Sequence, residues 1–285
     1  MKLIADSGST KTDWALIHAD GSVIRFSTSG LNPSVLDAEI IENQLRSEVI
    51  SRVTESGVAP GNVSEVHFFG AGCTETKIPV MKAVLATVLG VDDEATEVAS
   101  DMLGAAIAAC EGKAGIAAIL GTGSNSCLFD GETIVANTPP LGFILGDEGS
   151  GAVLGKLFIN KVLKGTLPKT LCDEFLKASG LDKSSVVERV YRQPSPNKFL
   201  ASFSPFIHSH LHVEPLRQMV IDNFKSCFRN NLQQYDSQSL AVNVIGSIAF
   251  CYESELREAA ASEGYEIGKI IKSPIEGLIH YYQKR

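Results

Sequence analysis

An α/β fold made of two like halves is what the chain predicts, on three observations. A strand runs straight into a glycine-hydroxyl turn at Lys2-Leu3-Ile4-Ala5-Asp6-Ser7-Gly8-Ser9-Thr10-Lys11-Thr12-Asp13-Trp14, and the device recurs at Ala117-Ala118-Ile119-Leu120-Gly121-Thr122-Gly123-Ser124-Asn125-Ser126. A further turn follows each copy, Asp20-Gly21 in the first and Asp130-Gly131 in the second, so each reads as three strands joined by tight turns. Helix, strand and helix then follow in both places, which implies a duplicated α/β architecture with the ligand in a cleft between the halves.

In the first half, strands are expected over residues 3–5, 14–18 and 23–28. Ile40, Ile41, Leu45, Val49 and Ile50 recur at helical spacing and predict a helix over 36–56 with those five on one face. Residues 66–70 form a short buried strand, 79–89 a helix, and 97–99 a strand ending at Asp101. An alanine-rich helix takes up 102–110.

The second half repeats the strands over 116–120, 126–129 and 133–136, and helices follow over 150–163 and 168–179. Gln193-Pro194-Ser195-Pro196-Asn197 reads as a loop or hinge. A long amphipathic helix covers 216–234, then come a strand over 240–245, a turn at Gly246-Ser247 and a helix over 248–262. The chain closes with a strand over 267–271 and a helix over 274–282. These elements divide it into a domain of residues 1–103 joined by 274–285 and a domain of 104–273, with hinges near 101–104 and Ser273-Pro274.

The 285 residues are 44% hydrophobic and 20% charged, the make-up of a globular protein, and the net charge of −8 argues against nucleic acid as a partner. Phosphate binding must then be local and built from backbone. No basic tract or long apolar span suggests a membrane. Acidic residues at 6 and 13 stand where a signal peptide needs an apolar core, so a cytoplasmic location is expected. Six scattered cysteines without a CxxC read as reduced thiols. His208-x-His210-x-His212 alternates like metal ligands on a strand, but with no carboxylate framework it reads as a solvated segment.

Neither common nucleotide motif is present. Gly151-Ala152-Val153-Leu154-Gly155-Lys156-Leu157 lacks P-loop spacing and the hydroxyl after lysine, and Gly121-x-Gly123 is followed by Ser126 rather than the third glycine of a dinucleotide fold. The two glycine-hydroxyl turns instead suit anion nests that grip one polyphosphate. On residue chemistry, Thr10 and Thr122 with the N–H groups of Gly8 and Gly123 can contact phosphate oxygens, and Asp6 alone can hold Mg²⁺ through water. Lys11 reads as a surface residue and Trp14 as core. Asp101 either caps the helix that follows or accepts a proton from an attacking hydroxyl.

Across essentially its whole length the chain resembles the actin/hexokinase/Hsp70 ATPase superfamily, and within it the N-acetylglucosamine kinase group of the BadF/BadG/BcrA/BcrD ATPases. Asp6-Ser7-Gly8-Ser9-Thr10-Lys11-Thr12 is similar to the first phosphate motif, Leu120 to Ser126 to the second, and Val244-Ile245-Gly246-Ser247-Ile248-Ala249 to the adenosine motif. Gly30-Leu31-Asn32-Pro33, Ala99-Ser100-Asp101 and Leu145-Gly146-Asp147-Glu148-Gly149-Ser150-Gly151 resemble its sugar-site segments. Ser7 departs from the usual glycine, which either tightens the first turn or weakens phosphate binding.

The resemblance implies a duplicated ribonuclease H-like, actin-like ATPase fold of two domains with an interdomain cleft. It implies ATP and Mg²⁺ as cofactors and an amino sugar as substrate, phosphorylated at the 6-hydroxyl. Asp6, Gly8, Ser9, Thr10, Lys11, Gly121, Thr122, Gly123, Gly246 and Ser247 would then serve the nucleotide and its metal, Asp6 holding the metal. Asn32, Asp101, Ser124, Asn125, Asp147 and Glu148 would serve the sugar, with Asp101 as catalytic base. A homodimer is a further option. Two competing readings are an activator ATPase that drives electrons into a 2-hydroxyacyl-CoA dehydratase or benzoyl-CoA reductase through an iron–sulfur cluster, and a weakly catalytic sugar regulator.

Overall fold

Lys2–Ser7 is apolar on both faces and forms β1, the middle strand of a sheet ordered β3-β2-β1-β4-β5. Its partners are β2 (Lys11–Ile17), β3 (Val23–Ser29), β4 (Glu65–Gly70) and β5 (Thr96–Ser100). β1 runs antiparallel to β2 and parallel to β4. The computed structural model describes all residues other than Asp236 and Gln238.

The expected helix over 36–56 is built as α1 (Ala38–Gln44), a π-helical stretch Leu45–Ile50, and α2 (Ser51–Glu55). Its buried residues are Ile41, Leu45, Val49 and Val53, each four apart. In a pure α-helix of 3.6 residues per turn that spacing overshoots each turn and spirals off the face; the wider π turn winds it back. Ile40 is therefore exposed and Ile50 only half-buried, contrary to the face expected from a constant period.

α3 (Ile78–Leu89) and α4 (Asp101–Cys110) complete the first βαβ pattern. Trp14 is buried between Phe26 and Phe68, each with its ring centroid 6.1 Å away, and its Nε1 donates to Thr28 at 2.9 Å. The last helix, α14 (Pro274–Gln283), joins this sheet: at Gly277 a Cβ would stand 2.5 Å from the Ala108 carbonyl oxygen, so only glycine allows the approach to α4.

The second sheet, β10-β9-β6-β7-β8, repeats the first in order and direction. Its strands are β6 (Gly115–Leu120), β7 (Ser124–Phe129), β8 (Ile134–Thr138), β9 (Val242–Ile245) and β10 (Ile267–Ile271). β6 pairs antiparallel with β7 and parallel with β9, as β1 does with β2 and β4. Helices α5 (Gly142–Leu145), α6 (Gly151–Leu163), α7 (Lys169–Ser179), α8 (Lys183–Tyr191), α9 (Pro196–Ala201), α10 (Ser204–Ser209) and α11 (Glu214–Asn230) fill the long connection from β8 to β9. α12 (Ser247–Cys251) and α13 (Glu253–Ser262) lie between β9 and β10 and break at Tyr252, where a single helix was expected. The core of this unit holds Phe158, Phe175, Phe203, Phe224 and Tyr252.

Packing divides the chain into one unit of Met1–Lys113, Gly131–Thr133 and Ser273–Arg285 and another of Ala114–Asp130 and Ile134–Lys272. α4 stays whole in the first unit.

The segment expected as a loop at 193–197 already contains the start of α9, with Pro196 at the first helical position. His208 lies in α10 and His210 and His212 just beyond it, not on a strand. His210 stacks on Phe206 at 4.1 Å, and its Nε2 lies 3.1 Å from Glu174. Among the described residues no three His, Cys, Asp or Glu side chains gather as a metal cage. None of the six cysteines is in a disulfide; five are buried and Cys251 is exposed. No helix among the described residues is long and apolar enough to cross a membrane.

Candidate active site

The first glycine-hydroxyl turn closes on itself: the Gly8 N–H donates to the Lys11 carbonyl at 2.9 Å. That amide is spent within the turn, which corrects the expectation that it could meet phosphate; Ser9 and Thr10 present the exposed side. Gly30 backs the turn, since a Cβ there would lie 2.5 Å from the Gly8 carbonyl oxygen and 2.6 Å from the Thr10 nitrogen. Ser7, 1% exposed, bonds Thr12 Oγ1 at 2.7 Å and both the N–H and carbonyl of Leu31 at 3.2 Å. The Ser7 hydroxyl thus ties the first turn to the 30–32 segment.

Asn32 is committed on both ends of its amide. Nδ2 donates to Ser9 Oγ at 2.7 Å and Oδ1 accepts the Ser34 N–H at 2.9 Å. Gly72 crowds the same amide, its φ of +78° and the space available both requiring glycine. Asn32 therefore ties the sugar-type segment to the phosphate-type turn.

Three carboxylates collect at this end of the sheet. Asp6 is next to last in β1, opposite Asp13 on β2, and Asp101 follows β5. Burial first, then the negative charges of Asp13 and Asp101, push the Asp6 carboxyl up to about 7; Lys11 opposes this. Lys11 itself is exposed and pairs with Asp13 at 2.7 Å. Asp101 is also pushed up, by burial, against the Met102 N–H that donates to its Oδ1 at 2.9 Å. Its own backbone N–H is a second donor that works against the rise. Ser100, not Asp101, caps α4 by accepting the Leu103 N–H at 3.3 Å. Ser100 is thus the N-cap, while Asp101, the first residue of α4, takes the amide of the residue after it. Cys73 sits beside this carboxylate, its thiol pushed up to about 12 by burial and by Asp101.

In the second unit the turn at Gly121–Gly123 is anchored by the helix below it. The Gly151 N–H donates to the Gly121 carbonyl at 2.8 Å and the Ala152 N–H to the Thr122 carbonyl at 3.0 Å. Those are first-turn amides of α6, which have no intrahelical acceptor. Thr122 is exposed on the turn. Gly246, at φ +123°, butts against the turn from β9: a Cβ would fall 2.3 Å from the Leu120 carbonyl oxygen. Each turn thus has its glycine buttress, Gly30 in one unit and Gly246 in the other. Ser247 next to it is exposed.

Asp147 is buried in a left-handed conformation (φ +56°) that Asp tolerates better than most residues. Its Oδ2 lies 3.0 Å from where a Gly123 Cβ would be, and its carboxylate accepts the Ser124 N–H. Burial raises its pKa, with Glu148 adding to the rise and the Ser124 N–H and Lys156 opposing it. Glu148 is held by Asn230 Nδ2 at 2.8 Å and Asn231 Nδ2 at 3.3 Å. Asn125 Oδ1 accepts from the Ser126 N–H and from Asn137 Nδ2, both at 2.9 Å. Of the expected sugar residues, Ser124 and Asp147 come together here, while Glu148 and Asn125 are engaged in holding the loops.

Of the supporting residues, Asn137, Asn223 and Asn230 were not singled out from the sequence, and Gly30 and Ser100 entered only as members of the sugar-type segments. Asn223 is buried and receives the Gly149 N–H at 3.1 Å, fixing the loop that carries Asp147. A signal existed: it is the lone polar residue among the apolar positions 219, 220, 221, 224 and 227 of α11.

Compared with known proteins, the chain is 47% identical to a Porphyromonas gingivalis protein described as a candidate N-acetylglucosamine kinase, covering 100% of this chain and 99% of the other with a TM-score of 0.93. A Chromobacterium violaceum structure of the same description covers 98% of both chains with a TM-score of 0.77 at 18% identity, a likeness of fold. A glucosamine kinase of Vibrio cholerae serotype O1 is 26% identical over 234 residues, 76% of each chain. No family model matches the chain.

Proposed function

Because this chain belongs to the N-acetylglucosamine kinase-like family of actin-like ATPases, we propose that it transfers the γ-phosphoryl group of ATP to the 6-hydroxyl of N-acetylglucosamine or a close amino sugar. It is an amino-sugar kinase; the hydroxyl, the particular sugar and the roles of individual residues are the proposal. The observation that carries it is Asp101 at the head of α4, a helix capped by Ser100, with its carboxyl buried enough to be pushed up.

Phosphoryl transfer asks the protein for alignment and charge compensation more than for covalent help. Asp101 takes the proton of the acceptor hydroxyl, and the Met102 N–H on Oδ1 holds the carboxylate in place. Thr10 and Thr122, one on each turn, donate hydroxyls to phosphate oxygens. Asp147, desolvated beside Ser124, accepts from sugar hydroxyls. Asn32 keeps Ser9 and the 30–34 segment in register.

The carboxylates around Asp6 fit a divalent cation, because after burial the negative charges of Asp13 and Asp101 add to the rise of the Asp6 pKa. A Mg²⁺ held through one carboxylate and its own waters needs no three-residue cage. When bound, it supplies charge neutralisation of the phosphates.

The activator-ATPase reading asks for accessible cysteine pairs. Cys110 and Cys127, the nearest in sequence, are both buried.

The test is ADP release across a panel of amino sugars, with the product's phosphate located by ³¹P NMR. The 6-deoxy analogue of the best sugar should bind and give no turnover; turnover with it would overturn the 6-hydroxyl assignment. Variants separate the two substrates. Thr122→Ala should raise the KM for ATP roughly ten-fold with little change for sugar, as loss of one hydrogen bond to a charged group costs about 1.5–3 kcal/mol. Asp147→Ala should do the reverse. Equal effects on both substrates would show that the residues are wrongly divided.

A further inference from the structure

Glu48 has no part in the site described above, yet a hydrogen-bonded path runs from it to the first phosphate-type turn. It is half-buried in the π-helical stretch Leu45–Ile50, next to the buried Val49. Such wide turns are rare and gather at functional sites. Glu48 Oε2 accepts the Ser29 N–H at 2.8 Å. Ser29 ends β3, the edge strand of its sheet. An edge strand has no neighbour for its outward amides, and here a carboxylate takes that place. From Ser29 the path divides. Its carbonyl accepts Thr12 Oγ1 at 3.2 Å, and Thr12 bonds Ser7 at 2.7 Å. The next residue along the chain is Gly30, which presses on Gly8 and Thr10 too closely for any Cβ and donates its N–H to the Thr10 carbonyl at 3.2 Å. Beyond it, Ser7 grips Leu31 by both its N–H and its carbonyl.

Gly30 is thus pinned through the residue on each side of it. Of these anchors Glu48 alone is charged and alone comes from a helix, and a charge-assisted bond is the stronger kind. Gly30 meets the turn backbone against backbone, with no side chain between them to absorb slack, so a shift at Ser29 passes on to Gly8 and Thr10. We propose that Glu48 is a positioning residue for the nucleotide's phosphates: through Ser29 it sets how firmly Gly30 presses the turn that carries Thr10. This rests on the kinase reading for the nucleotide but not for the sugar. Glu48 itself touches no substrate. Its effect is on the shape of the turn, and it should therefore appear in phosphate affinity and not in sugar affinity.

The experiment is calorimetric titration of the full chain with ADP and pyrophosphate, each with Mg²⁺, beside steady-state kinetics. Glu48→Ala should weaken both ligands roughly ten-fold and raise the KM for ATP to match, with the KM for sugar within about two-fold, the ten-fold being the scale of one lost hydrogen bond to a charged group. Glu48→Gln, whose amide oxygen can still accept the Ser29 N–H, should recover most of the loss. In a cycle with Thr10→Ala, the combined loss should fall well short of the product of the single losses, because both changes act on one turn. Unchanged ADP affinity in Glu48→Ala would overturn the proposal. So would a Glu48→Gln variant no better than Glu48→Ala, or equal rises in KM for ATP and sugar, which would make the residue a prop of the fold. Losses that simply multiply in the cycle would place the two residues on separate paths and overturn it as well. Wild-type protein that binds neither ADP nor pyrophosphate would end both this proposal and the kinase reading. Wild-type protein that binds ADP but phosphorylates no sugar would end only the kinase reading. Melting temperatures check folding; should Glu48→Ala not fold, Glu48→Asp, which keeps the charge but falls a methylene short of Ser29, takes its place with the same expected losses.

Discussion

Asp101→Asn is expected to lower turnover at least about a hundred-fold, the scale of a lost general base, while the melting temperature stays close to wild type. The amide keeps the carboxylate's shape, and its oxygen can still accept the Met102 N–H that now reaches Oδ1. What it cannot do is receive a proton. Ser100→Ala is the matched control: it removes the α4 cap, costs about 1 kcal/mol of stability, and should leave the chemistry largely intact. Single-turnover kinetics and thermal melts of both variants decide the matter. Near-normal turnover in Asp101→Asn, or unfolding of that variant, would return the residue to a structural role. Because burial raises the Asp101 pKa, activity in wild type should also fade at a pH above the usual carboxylate range as the medium is acidified, since the protonated side chain is no base.

Asp6→Asn should part stability from function. The carboxyl titrates near 7 in the fold against 3.8 in the open chain, so folding favours its protonated form. The unfolded chain then binds fewer protons between those two values, and stability falls as pH rises through that window. Above pH 7 the cost is fully present, on the order of 3 kcal/mol after allowance for solvent screening. Replacing the charge by an amide removes that cost. With chelator present at pH 8, Asp6→Asn should melt several degrees above wild type, and at pH 4 the two should nearly coincide. Turnover with Mg²⁺ should nonetheless fall by orders of magnitude. Equal melting points at pH 8 would show that the carboxylate is better solvated than its neighbours imply.

The strands and the duplication were legible because their signals are local. An apolar run, a glycine turn and a second apolar run place three strands before any long-range contact is known. The π turn at Leu45–Ile50 was not legible, since a helical wheel assumes one period and the residues that betray the change, Ile40 and Val53, are ordinary apolar ones. Helices α8 to α10 were hidden by brevity: none exceeds nine residues, too short for a periodic stripe to stand out.

At the site, the identities of Asp6, Asp101 and Asp147 were readable from the loops that carry them. The occupation of Asn32 and Glu148 was not. Glu148 is held by residues 82 and 83 positions away, and no spacing rule reaches that far. Gly30 and Gly246 belonged to ligand-site segments in the sequence, and their part as buttresses shows only when the other backbone lies against them.

Helix α14 belongs to the first unit although the chain reaches it only after building the second. On a ribosome, then, Ala114–Lys272 emerges complete and can fold while the first unit still lacks its final piece. Until Ser273–Arg285 emerges, Ala108 of α4 faces no Gly277, and Glu97 lacks the Tyr282 hydroxyl that donates to it at 2.8 Å. The nascent protein therefore passes through a stage with one finished half and one half whose central sheet is bare on a flank. Such a stage, with apolar surface exposed, is one that draws chaperones. A chain cut before Ser273 would leave the half that carries Asp6 and Asp101 unsealed, although every residue of that carboxylate cluster had already been made.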